Sequence, residues 1–181
     1  MTFRSELERR AALPGMYSEY WCGQLPTAKA LRWSFLEHRQ YPGETRCFPG
    51  PLHRLAAGLA AVHFRHAGQQ TDADEVLAVW LGSDEEIAEL AGQIDRTAAA
   101  LVPRPRATAI EYHEGLGAMI SRLAYLWVHS SPFAHGIAGA PGAPMRAQIL
   151  GELDAADSTY SVLACNLDRG LVRLPPPALA S

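Results

Sequence analysis

The stretch PLHRLAAGLAAVHFRHA, residues 51–67, decides how this chain is read. Leu52, Leu55, Leu59 and Val62 recur at spacings of three and four, which puts them on one side of a helix, and His63 and His66 fall among them. Pro51 suits a first helical position, and Gly68 suits an end. An imidazole among leucines needs a hydrogen-bond partner, a metal, a cofactor or a ligand, because burying it unpaired costs about 1–3 kcal/mol. The same spacing joins Leu31, Phe35 and His38 in a helix predicted over Thr27–His38, and His113 lies at the margin of a core stripe further on.

Outward from this stretch, helix signals recur and strand-type alternation is nowhere sustained. Ser5 and Glu8 have capping-box spacing for a short helix over Ser5–Ala12, stopped by Pro14-Gly15. The segment MYSEYWCGQ reads as an irregular stretch docked on the body, and two proline–glycine pairs mark the connection Gln40–Gly50. A helix over Asp72–Leu81 is predicted to stop at Gly82. A second opens with Ser83 and Glu86 in capping-box spacing and carries Ile87, Leu90, Ala91, Ile94, Ala98 and Leu101 on one face to Leu101.

Pro103 and Pro105 precede a helix expected over Thr108–His129, with Tyr112, Leu116, Met119, Ile120, Leu123 and Trp127 as its core face. Its other side holds small and polar residues, Glu114, Gly117, Ala118, Ser121 and Tyr125, flanked by Glu111 and Arg122; small residues let another helix or a ligand approach closely. Residues 130–144, with His135 in the middle, read as a long loop of the kind that often binds or covers ligands. Helices over Pro144–Leu153 and Ser158–Arg169 follow, with Asp157 as N-cap of the second and Gly170 just past its end, before an extended tail.

The fold expected is therefore all-α: a single-domain helical bundle of six to seven helices. Residues 1–26 form an arm and docking segment, 27–170 the helical core and 171–181 the tail. At 181 residues one core is enough. A composition 48% hydrophobic and 19% charged excludes a disordered chain, and no apolar run reaches the roughly 20 residues of a membrane span. Neither a membrane nor nucleic acid is expected as partner: the net charge of -3 provides no basic footprint for a phosphate backbone. No secretory leader is legible and Cys22, Cys47 and Cys165 are odd in number and far apart, so reduced thiols and a cytoplasmic location are expected.

Two site chemistries follow from the inward histidines. In the first, His38, His63, His66 and Glu114 surround a divalent metal, zinc or iron, because helices that each offer an imidazole or carboxylate can build a mixed nitrogen and oxygen shell. A di-iron centre is excluded, since its Glu-x-x-His repeat is absent and only Glu111-x-x-Glu114 occurs. In the second, His63 or His113 with Glu114 forms an acid–base pair, Arg122 clamps an anion and Tyr125 donates a phenolic hydrogen bond. Both describe a buried, histidine-lined pocket that binds a small molecule, with acid–base or metal-assisted catalysis as its chemistry. The alternatives are an interaction module or homodimer with structural histidines, or a ligand sensor. Trp33, which lies off the Leu31–Phe35–His38 stripe, suggests a second packing layer or a dimer contact.

Overall fold

A computed structural model describes residues 21–40, 50–68, 73–131 and 143–176. Within them the chain is mostly helical, with five helices: α1 Ala28–Gln40, α2 Pro51–Gly68, α3 Ala73–Leu101, α4 Leu116–Ser130 and α5 Ala143–Asp168. Four two-residue strands accompany them: β1 Trp21–Cys22, β2 Leu25–Pro26, β3 Ile110–Glu111 and β4 Val172–Arg173. The expected Ser5–Ala12 helix, Cys47 and the centre of the 130–144 loop with His135 lie outside the described residues.

The count of six to seven helices is corrected to five among the described residues, because two expected breaks do not break. Gly82 lies inside α3, where a helical glycine costs only about 1 kcal/mol relative to alanine and cannot by itself stop a helix. Asp157 is not an N-cap but a mid-helix residue of α5, 8% exposed, whose carboxylate pairs with Arg32 of α1. The helix expected from Thr108 starts instead at Leu116. Before it, the backbone pairs in parallel with the chain after α5: Ile110 N–H donates to the Leu171 carbonyl and Tyr112 N–H to that of Arg173.

The end of α5 follows the expected chemistry. Gly170 adopts φ +65°, its N–H donates to the Leu167 carbonyl and the Leu171 N–H to that of Asn166, the bond pair of a Schellman cap. The hairpin of β1 and β2 turns at Gly23, φ +63°, and docks on α5 through Gln24 N–H to Asp168 and the buried Tyr160 hydroxyl to the Pro26 carbonyl at 2.8 Å.

One apolar cluster draws on all five helices, with Phe35, Leu59, Ile94, Ile120 and Leu163 among its members. Helices α2 and α4 are its centre: α2 packs on α1, α3 and α4, while α4 packs on α2, α3 and α5. Accordingly α2 buries Leu52, His53, Ala56, Ala57, Leu59, Ala60, Val62 and His63, more than the one stripe that its leucines mark. Its alanines keep the surface low, so neighbours approach on several sides.

The α3–α4 contact is closer still. A Cβ at Gly117 would fall on the Ala91 backbone of α3, and one at Gly115 on the Asp95 carboxylate. Asp95 accepts from the Gly117 N–H at 2.8 Å, so a side chain from α3 satisfies the first turn of α4, whose own N-cap, Gly115, has no side chain to offer. Burial pushes the Asp95 carboxyl above its usual range despite these hydrogen bonds.

Candidate functional site

With so much of α4 buried, little of it is left to solvent. Ala118, Arg122 and Tyr125 are exposed and His129 is half-buried; their spacings of four, three and four place them on one stripe. On a helix this long an outward stripe of lysine and glutamate would be ordinary. Here it carries a guanidinium, a phenol and an imidazole.

Helix α2 brings His63 against this stripe. His63 is 7% exposed, and its Nε2 shares a 3.1 Å hydrogen bond with the Ser121 hydroxyl on the buried margin of the stripe, the donor being set by the imidazole tautomer. Its ring meets Tyr125 edge-on at 5.6 Å between centroids and His66 edge-on at 6.5 Å, and Tyr125 lies 4.3 Å from His129. Four rings from two helices thus form a continuous row. Burial, reinforced by neighbouring His66 and His129, lowers the His63 pKa from 6.5 to about 4, so this imidazole is neutral near pH 7. His66 is lowered as well, by burial first and then by Arg65.

A second group sits at the start of α4. Glu114 accepts a 2.8 Å charge-assisted hydrogen bond from Arg122, while its other oxygen, Oε1, is buried without a hydrogen-bond partner. Tyr112, half-buried, has its phenol pushed up by burial and by the Glu114 charge. The His113 ring rests on Tyr112 at 4.6 Å and is exposed. Glu111 is exposed also, 3.8 Å from Arg173.

Of the residues predicted for a site, the structure therefore joins His63, His66 and Tyr125, and separately joins Glu114 and Arg122. Both groups lie along α4. His113 is outward, not part of an enclosed pocket, and the side chain of His38 lies outside those described. Among the described residues, no group of three or more His, Cys, Asp or Glu side chains could hold a metal ion. An open groove of about 400 Å³ lies elsewhere, lined by Lys29, Arg32, Trp33, Leu36 and Trp127.

Two residues of the site and one buried structural histidine are not marked by the spacing of the sequence. His129 closes the helix expected over Thr108–His129 and lies four residues from Tyr125, on the same stripe. Ser121 belongs to the strip of small and polar residues, and in the fold it is the hydrogen-bond partner of His63. His53 is fully buried and its Nδ1 lies 2.7 Å from the Ser34 hydroxyl, which ties α2 to α1; its signal was the alanine-rich second face of α2. No helix among the described residues is long and apolar enough to cross a membrane. No protein-family model, curated protein or solved structure matches the chain.

Proposed function

We propose that the protein binds a small polar organic molecule along the outward stripe of α4 and that the site performs acid–base chemistry on it. The observation that carries this reading is Tyr125, 45% exposed, in ring contact with both His63 and His129. A phenol open to solvent beside a neutral imidazole can donate its one proton to a ligand. Arg122 supplies charge for an anionic substituent, and the unpartnered Glu114 Oε1 supports a ligand donor at that end. No metal is needed. The helices carrying this site would be a bundle in a cytoplasmic protein.

The imidazole C–H signals of the full chain, followed by NMR during titration with acetate, acetamide and phenol, test the reading. The His63 and His129 signals are expected to move together and to saturate, and His63→Gln to weaken the response at His129. A set of probes that moves neither ring would sink it. The competing reading, a homodimer or interaction module with structural histidines, is favoured by Trp33, 45% exposed. A monomer by sedimentation at high concentration would remove it.

A further inference from the structure

Where α3 and α5 finish, away from the imidazole row, the fold gathers four arginines. Arg104 and Arg106 follow the C-terminus of α3, Arg169 follows that of α5 and Arg173 lies in β4. They come together at Gly170: the Arg106 N–H donates to its carbonyl at 2.9 Å, and a Cβ there would stand 3.1 Å from the Arg104 carbonyl oxygen. All four arginines are exposed. Arg173 has Glu111 at 3.8 Å, beyond hydrogen-bond reach, and Arg104, Arg106 and Arg169 make no ion pair among the described residues. Asp168, the acid next to Arg169, accepts from the Gln24 N–H. The partial negative charge at the C-termini of α3 and α5 eases the repulsion instead, which leaves the guanidinium donors to solvent. Beside them Ile110, 73% exposed, and Leu171, 36% exposed, present aliphatic surface.

We propose that this patch binds an acidic segment of another protein, with its carboxylates on the four guanidiniums and its apolar side chains on Ile110 and Leu171. The β3–β4 pairing and the Schellman cap hold the backbone that carries these charges, so their spacing is set before a partner arrives. One exposed ion pair is weak in water, so a lone carboxylate is a poor occupant and several on one chain are needed. The net charge is -3 with these arginines included, and a nucleic acid or an anionic lipid surface, which extends past the patch, meets that acidic remainder. A second copy of the chain fits less well. Of its exposed acids on α3 and α5, Glu86 is held by Arg65, Glu89 by Gln93 and Glu152 by Gln148.

Fluorescence anisotropy of fluorescein-labelled deca-glutamate titrated with the full chain tests the assignment. Deca-glutamine, an oligothymidylate of equal length and co-sedimentation with phosphatidylserine vesicles are the comparisons. Saturable binding of deca-glutamate that weakens with added salt is expected, and none of deca-glutamine. Arg104→Gln, Arg106→Gln and Arg169→Gln together should weaken it about tenfold, the scale of three exposed ion pairs, whereas Arg146→Gln, near the other end of α5, should leave it unchanged. The three residues are exposed, so an unchanged far-ultraviolet circular dichroism spectrum should accompany the triple variant. The proposal is overturned by an absence of saturable binding at millimolar deca-glutamate in low salt, by equal affinity of the triple variant, by an equal loss in Arg146→Gln, or by tighter binding of the oligonucleotide or the vesicles. Self-association of the chain that the triple variant abolishes would overturn it also, by giving the patch to a second copy.

Discussion

His63 owes its character to two things one residue cannot supply, a burial site between helices and the Ser121 hydroxyl 58 positions away. With its pKa lowered to about 4 in the fold and near 6.5 unfolded, the unfolded chain binds the proton more readily. The stability due to neutral His63 is complete above pH 6.5 and is lost as pH falls toward 4. Moving from 6.5 to about 4 corresponds to an effect on the order of 3 kcal/mol. Chemical denaturation at a series of pH values should show that loss, and His63→Gln should flatten it; an unchanged slope in the variant would assign the acid sensitivity elsewhere. His53 is the structural counterpart, fully buried and bonded to Ser34. His53→Ala should cost about 2–4 kcal/mol in the same assay at pH 7, from the cavity and the lost hydrogen bond. Periodicity placed His63 inward because its neighbours are leucines. It gives no sign of His53, because a second buried face made of alanines carries almost no hydrophobic contrast.

At the scale of the helix, the glycines separate local preference from tertiary contact. Gly151 of α5 has open space where a Cβ would stand, so Gly151→Ala should stabilise by about 0.5–1 kcal/mol, the ordinary helix-propensity gain. Gly117 of α4 is just as helical, but a Cβ there meets the Ala91 backbone, which cannot rotate away. Gly117→Ala should destabilise by about 2 kcal/mol or more, since α3 and α4 would have to move apart. Opposite signs in thermal unfolding are the expected result; two changes of the same sign would contradict the close approach. Asp95 belongs to the same contact. Asp95→Ala should cost about 1–2 kcal/mol through the lost cap of α4, and Asp95→Asn less, because an amide oxygen still accepts from Gly117 and carries no buried charge. The small residues of 114–121 announced that something approaches α4 closely, and the helix α3 is what does. The helix boundaries were less legible. Gly82 and Asp157 are stop and start residues by local chemistry, and packing along the whole of α3 and α5 outweighs a preference of about 1 kcal/mol each.

For the molecule as a whole, a pattern of spacings tells which face of each helix is apolar but not which helices become neighbours, and this is why a metal set of His38, His63, His66 and Glu114 could be written from the sequence. In three dimensions His63 and His66 join Tyr125 and His129, while Glu114, just before α4, joins Arg122 in the middle of that helix. The tie between α1 and α5 is another such long-range product. Few residues of these helices touch, and Arg32 with Asp157 connects them 125 positions apart. The pair is unequal, the Arg32 side chain being 41% exposed and that of Asp157 11%. Removing Asp157 leaves a guanidinium that can turn to water; removing Arg32 leaves a carboxylate enclosed by protein. Arg32→Ala should therefore destabilise more than Asp157→Ala, by about 2–3 kcal/mol against about 1 kcal/mol, and the double variant should resemble Asp157→Ala. Urea unfolding of the two single variants and the double variant measures the coupling. Equal losses that add in the double variant would mean that the two charges act independently and that α5 is held to α1 by its apolar contacts and the hairpin alone.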